Sequence, residues 1–358
     1  MNISQNQRKI YYLALVLLLI AVALVCAWTL WPRPAGTDVG VMPTPIAEEE
    51  TPVPTATAAP AAAQSGKKTS TIVYYQDNYG YLVPVMCSVP LADGIARATL
   101  SMMVQSPDND MQAARLGLRT ILPENTTIDL DIAGGLARVD LGKEVLSLPD
   151  AAAEANMVDA VVQTLTEFDT VDRVEFLIGG QKREKLTHGT PVEGTFTRGD
   201  INVEPAEPTM SQSVKLFFPS DSGAVIVPVT RMVQAGADIN TAVMELAKGA
   251  SGDGMLESVI PAGCGLIDVK VEDGVAKLNF TGEFVNLVQN SDGGRMALKA
   301  LVLTCTQFEG INSVEIYVDG EKYDASAEEL GIPSFMNVAD SIVYDYIQTQ
   351  SNALFEMD

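Results

Sequence analysis

The chain has 358 residues, with 46 acidic against 23 basic side chains and a formal net charge of −23. That length accommodates two domains, and that charge excludes the ordinary nucleic-acid binder, whose affinity comes from clustered Lys and Arg on phosphates. A single histidine excludes most histidine-based metal sites and leaves a histidine-based catalytic dyad little room.

The acidity is spread. Residues 70–185 carry 17 acidic and 9 basic groups, residues 211–325 carry 15 and 8, and residues 326–358 carry six acids and no base. Acidity distributed in this way reads as a solvated exterior.

In chain order, residues 1–9 are polar and close on Arg8 and Lys9. Residues 10–31 carry no charge over 22 positions. At 1.5 Å per residue they would give about 33 Å of helix, enough to cross a hydrocarbon core. Tyr11, Tyr12, Trp28 and Trp31 stand at its ends, where aromatic rings prefer the interface. The basic pair precedes the span, so the N-terminus is expected in the cytoplasm and the bulk of the chain outside it. A cleaved signal peptide is the rival reading, but the apolar run is too long and has no A-x-A exit. Lipidation of Cys26 is another, and Val25 before it fits that pattern poorly. The sequence favours an uncleaved single-pass anchor. Residues 32–69, rich in Pro, Ala and Thr, read as an extended disordered tether.

The folded part is written twice. Domain one, 70–185, opens on Thr71-Ile72-Val73-Tyr74-Tyr75, a turn at Asp77 to Gly80, and a second strand through Val83-Pro84-Val85. Domain two, 211–325, opens on Val214 to Phe218, a turn at Pro219 to Gly223, and a second strand through Val227-Pro228-Val229. Both are hairpins, and the proline in each second strand predicts an edge. Helices are expected at about 93–104 and 239–248. The loops at Pro123 and Pro261 then lead into second hairpins that turn at Gly134-Gly135 and Asp273-Gly274. Each copy closes on a helix, with Val158, Val161, Leu165 and Phe168 or Leu298, Leu301, Cys305 and Phe308 on one face. A strand follows, with Val174, Phe176 and Ile178 on one side and Glu175 on the other. The order per domain is β-β-α-β-β-α-β, an α+β architecture. Residues 186–210, with Pro191, Pro205 and Pro208, read as a polar linker that makes the domains separate folding units. Residues 326–358 form an acidic tail with an expected helix at 337–350.

The stretches LFFPSDSGAVIVPVTR, VIPAGCGLIDVKVEDGVAKLNF and ALVLTCTQFEGINSVEIYVDGEK resemble the GerMN domain of spore-germination and sporulation proteins. The first copy fits through YYQDNYGYLVPV, ILPEN, GGLARVDL and TLTEFDTVDRVEFLIGG. The resemblance covers both folded parts, about 70–185 and 211–325. It implies a fold similar to the ring-building motif of secretion-system and sporulation-channel proteins. It also implies an extracytoplasmic protein that assembles with other envelope proteins at the membrane, in a ring or channel complex or with copies of itself. The function expected is therefore that of a non-catalytic, membrane-anchored scaffold of sporulation or germination. The alternative is an envelope module that binds or senses wall material.

No constellation of residues reads as catalytic, cofactor-binding or metal-binding. Asp129 and Asp131 alternate on a strand and could pair for metal or acid–base work, but the aligned residues of domain two are Asp268 and Lys270. Gly179-Gly180 with Lys182, Arg183 and Lys185 lacks the strand–GxxxxGK[ST]–helix context of a phosphate loop, and a tight turn is the better reading. His188 lies in a Gly/Thr/Pro-flanked loop. Cys305 falls on the helix stripe where domain one has Leu165, so a buried thiol is expected there, with a Cys264–Cys305 disulfide as the other option. Docking is expected through sheet edges and helix faces, with outer-face residues such as Glu175 and Glu315 contributing.

Overall fold

The computed structural model describes residues 68–91, 94–207, 209–234, 236–251, 255–288, 293–323 and 336–339. The expected membrane anchor at 10–31, nearly all of the tether and most of the tail lie outside the described residues. Among the described residues no helix is long and apolar enough to cross a membrane.

Both repeats fold on one plan. In domain one the strands β1 (Lys68–Gln76) and β2 (Leu82–Pro90) form an antiparallel ribbon. Asp77 makes the turn, its Oδ1 accepting from Tyr79 N at 2.9 Å and Tyr81 N at 2.8 Å, an Asx turn that supplies the reversal. Helix α1 (Ile95–Ser101) follows, then α2 (Pro107–Ala114), which periodicity did not predict. Ser106 caps α2 by accepting from Asn109 N at 3.3 Å, with Pro107 at the first helical position, the local signal that was there to be read.

A four-stranded sheet of order β3-β4-β5-β6 comes next, from β3 (Ile128–Ala133), β4 (Gly135–Leu141), β5 (Val171–Ile178) and β6 (Phe196–Thr197). Strands β4 and β5 run parallel, and the long crossover this requires is α3 (Ala151–Leu165). Asp150 starts α3 by accepting from Ala153 N at 2.8 Å. Met157, Val161 and Leu165 on its inner face are fully buried, each contributing about 1.5–3 kcal/mol. The helix lies against both β1 and β5, which puts the core between ribbon, helix and sheet.

Domain two repeats this with the ribbon β7 (Gln212–Pro219) and β8 (Ile226–Val233), α4 (Ile239–Ala247), β9 (Leu266–Glu272) and β10 (Val275–Phe280), then α5 (Val285–Val288), α6 (Gly293–Thr306), β11 (Ser313–Val318) and β12 (Glu321–Lys322). Its sheet order is β12-β11-β10-β9, again with one parallel pair. Equivalent helix threonines tie each helix to its ribbon. Thr164 Oγ1 accepts from Tyr74 N at 3.2 Å, and Thr304 Oγ1 accepts from Phe217 N at 3.3 Å.

The expected β-β-α-β-β-α-β order is present in both repeats, and three readings need correction. The stretch 186–210 is not a loose linker. Leu186, Val192 and Ile201 are buried, and Phe196–Thr197 adds β6 to the domain-one sheet. The two domains it joins lie within one compact unit that begins at Gln64, where a spacer between detached domains was expected. Of the helix expected at 337–350, residues 340–350 lie outside the described residues, and at 337–339 the chain is not helical: Val338 pairs parallel with Met86 of β2. In both cases apolar side chains and backbone groups gain partners that a polar spacer or an isolated helix would lack.

Candidate functional site: the seam between the domains

The two proline strands β2 and β8 face each other edge to edge. They do not bond directly, since Pro84 and Pro228 have no N–H to donate. Two asparagines fill the seam. Asn202 Nδ2 donates to Leu82 O at 2.8 Å and to Pro228 O at 2.7 Å, while its Oδ1 accepts from Leu82 N at 2.8 Å. Asn337 does the same in mirror fashion. Its Nδ2 donates to Ile226 O at 2.8 Å and Pro84 O at 2.9 Å, and its Oδ1 accepts from Ile226 N at 2.7 Å. Each side-chain amide thus behaves as an extra peptide group inserted between two edges.

The residues after each asparagine extend the pattern. Val203 pairs parallel with Thr230 of β8, and Val338 pairs parallel with Met86 of β2. The chain leaving domain one therefore docks on domain two, and the chain leaving domain two returns to domain one. Asn202 holds φ at +49°, a left-handed conformation that asparagine tolerates better than most residues. The edge that the prolines predicted is real, but it is closed within the molecule: Pro84, Val85, Ile226 and Pro228 are all buried. The edge read as open to self-association is not free.

The supposed linker is held from both sides. Arg198 donates from Nη2 to Tyr74 Oη at 2.7 Å and to Glu167 Oε1 in domain one. Glu204 pairs in two-pronged fashion with Arg231 of domain two, at 2.5 and 3.0 Å, with both side chains nearly buried. Burial pushes the Glu204 carboxyl up, but Arg231 and the Ser251 N–H outweigh it and hold it below the usual range. Across the seam Tyr79 Oη donates to Asp221 Oδ2 at 2.8 Å. A cleft of about 410 Å³ opens beside Asn202, lined among others by Tyr79, Tyr81, Asn156, Asp159 and Asp200. Its lining carries the carboxylates of Asp159, Asp200 and Glu204, the amides of Asn156, Gln163 and Asn202, the hydroxyl of Ser251 and two tyrosines, a set rich in acceptors for a ligand.

The residues weighed from sequence fall elsewhere. Asp129 and Asp131 are exposed on the edge strand β3, with Asp131 opposite Arg138. His188 sits in a loop clamped by the fully buried Glu154, whose Oε1 accepts from His188 N at 2.7 Å and Oε2 from Thr190 N at 3.2 Å. Burial raises the Glu154 pKa, and the hydrogen bonds and charge that His188 and Thr190 bring to it together lower it by more. The His188 ring reaches Leu148 O, at 2.8 Å from Nε2. Gly179-Gly180 is a turn with both φ angles positive, as is Asp319-Gly320. Each turn is pinned from the neighbouring strand: Asp140 Oδ1 accepts from Gly180 N at 2.9 Å, and Asn279 Oδ1 from Gly320 N at 3.0 Å.

Glu175 and Glu315 need correction as open docking residues. Each accepts from a lysine across its hairpin, Lys182 and Lys322, at 2.5 Å, and Arg138 donates to Glu175 as well at 2.8 Å. Those partners hold both carboxyls below the usual range. Cys87, Cys264 and Cys305 are free thiols, with Cys87 and Cys305 buried; burial pushes the Cys87 thiol up to about 11 and the Cys305 thiol further. Phe168 and Phe308 are half-buried equivalents packed on the core.

The fold and seam define a class: two α+β repeats of mixed sheet and crossover helix, locked into one block by their own connecting segments. A family profile described as "Germane: Sporulation and spore germination" matches residues 72–184 and 215–324. The chain belongs to that family. It is 28% identical over 298 residues to the spore germination protein GerM of Bacillus subtilis (strain 168), a match spanning 77% of this chain and 81% of that protein. Its fold is also similar to a solved structure, the tandem GerMN domains of the sporulation protein GerM from Bacillus subtilis, with a TM-score of 0.62 and 26% identity over 76% of this chain and 100% of that one.

Proposed function

We propose that this chain serves sporulation or spore germination as a non-catalytic assembly protein. In this reading residues 10–31 anchor it in the membrane, and the tandem domains stand outside the cytoplasm as one block that contacts other envelope proteins. Similarity to GerM supports the process. The observation that carries the mechanism is what the repeats share. Thr164 and Thr304, the Glu175–Lys182 and Glu315–Lys322 pairs, and Asn202 with Asn337 all bind their own fold.

The test is deletion of the gene in the spore former that carries it, scored by heat-resistant spores and by germination, with plasmid-borne variants. Deletion is expected to reduce one of the two counts, and Asp129→Ala, Asp131→Ala and His188→Ala to restore it fully. A folded variant of those three that fails to complement would sink the non-catalytic reading. For the anchor, protease added to protoplasts should digest everything after Arg33; a soluble form beginning near residue 32, or lipid on Cys26, would overturn it.

The seam cleft favours a second reading, an envelope module that binds wall material through the acceptors of Asp159, Asp200 and Asn156. Pull-down on purified wall, lost on Asp159→Ala with Asp200→Ala, separates it from the first.

A further inference from the structure

Strand β9 ends the domain-two sheet, and no described strand pairs its other side. The two-residue turn Asp273-Gly274 sets the phase of its bonding. Glu272 and Val275 flank the turn as partners, so Glu272, Lys270 and Asp268 bond into the ladder while Val269 and Val271 turn their N–H and C=O groups outward. Val269 packs partly on the core, but Val271 is 48% exposed and Ile267, at the bulge, 51%. An open edge with exposed apolar side chains is a template for another strand.

The same edge in domain one is blunted. On β3 Ile128 is buried, and Leu130 and Ile132 are half-buried, while Asp129 and Asp131 stand exposed on the other face. Two β3 strands paired antiparallel about Leu130 would set Asp129 against Asp131 of the second copy, and like charges opposite each other repel. At the aligned positions β9 carries Asp268 and Lys270, joined within the strand at 3.0 Å.

We infer that β9 is a self-association edge whose occupant is β9 of a second copy, running antiparallel with Val269 facing Val269 of the second copy. In that register Lys270 faces Asp268 of the second copy, and Asp268 faces its Lys270. The neighbouring register, centred on Lys270, would set Lys270 against itself and Asp268 against Glu272. Charge therefore selects the first over this one, a register centred on Val271 would overlap only residues 270–272 of the strand, and the two-fold symmetry of the first closes the assembly at two copies. The inference deepens the assembly role proposed above and rests on it for purpose, though the pairing stands or falls by itself.

The test uses the full chain in detergent micelles, with Cys26→Ser and Cys264→Ser removing the accessible thiols. Val269→Cys is expected to cross-link to itself on mild oxidation. Adding Lys270→Glu, which puts like charges opposite each other, is expected to cut the cross-linked fraction about tenfold. Adding Asp268→Lys to that variant is expected to restore it. Light scattering of the chain with Val269 intact, with Lys270→Glu and with the double exchange, gives the same comparison without a new thiol. Circular dichroism verifies that each variant is folded. A cross-link indifferent to Lys270→Glu, an exchange that fails to restore it, or a monomer at every concentration would overturn the pairing. A dimer that follows the charges supports it even where gene deletion leaves spore formation and germination untouched, which is the result that counts against the assembly role.

Discussion

Asn202 and Asn337 stand at equivalent positions of the two repeats, and each hydrogen-bonds an edge strand of both domains. Asn202 joins Leu82 to Pro228, and Asn337 joins Ile226 to Pro84. The exit segment of each repeat thus hydrogen-bonds both domains. The stability of the two domains is therefore expected to be a single quantity.

Removing the Asn337 side chain strands the N–H and C=O of Ile226 and the C=O of Pro84 in a buried seam. Each orphaned group costs about 1–3 kcal/mol, so Asn337→Ala is expected to lose roughly 3 kcal/mol or more. Asn202→Ala is expected to behave alike, and Asn→Asp at either site worse, since a carboxylate would face two carbonyl oxygens. Urea unfolding followed by far-UV circular dichroism measures this. One cooperative transition with a lowered midpoint is expected, and two separate transitions in the parent chain would refute the coupling.

Phe168 and Phe308 are half-buried at the same helix-to-strand turn, where Phe168 O accepts from Val171 N at 2.8 Å and Phe308 O from Ile311 N at 3.1 Å. A fully buried Phe→Ala change costs about 3–5 kcal/mol; half-burial should bring these to about 2 kcal/mol. Each variant is expected to shift the same single midpoint, whichever domain carries it. Hydrogen exchange confined to the mutated domain would contradict that.

Acid should weaken the fold. Glu154, Glu175, Glu204 and Glu315 are all held below the ordinary glutamate value of 4.5. A carboxylate lowered on folding stabilises the protein above its unfolded pKa, and that stabilisation is lost as pH falls through the folded one. Melting temperature is thus expected to fall below about pH 4.5, less steeply in Glu175→Gln. Asp77 and Asp159, raised chiefly by burial, pull the other way and flatten the slope without reversing it, because the lowered groups outnumber them and include the buried Glu154 and Glu204. A melting temperature that rises on acidification would refute the assignment.

Thiol chemistry offers a separate check on the core. Cys87 and Cys305 are buried and their pKa values raised, so both should stay unreactive to a thiol reagent at pH 8 until the chain unfolds. Cys264, half-buried, should react slowly. Mass spectrometry of the unreduced protein is expected to show no Cys264–Cys305 bridge.

The sequence by itself determined the repeat, its element order and its turns. Those rest on local physics: helical and alternating spacing at Val161 and Val174, and Gly or Asp-Gly where two successive positive φ angles are needed. It also determined that the prolines of β2 and β8 mark edges, because a missing N–H is a property of the residue alone. Ser106-Pro107 was a legible cap for α2, though the following helix has too weak an apolar stripe to be read by periodicity. Ile201-Asn202-Val203 and Met336-Asn337-Val338 form a third repeated motif, short enough to pass for linker and tail. What closes an edge was not local. Whether Pro84 faces solvent, a second copy or Asn337 depends on a residue 253 positions away, and only the folded chain brings that amide to that carbonyl. The edges of β3 and β9 divide in the same way: Asp129 and Asp131 on one and Asp268 and Lys270 on the other are legible in the sequence, but that both strands end their sheets is a matter of topology, which no local propensity encodes.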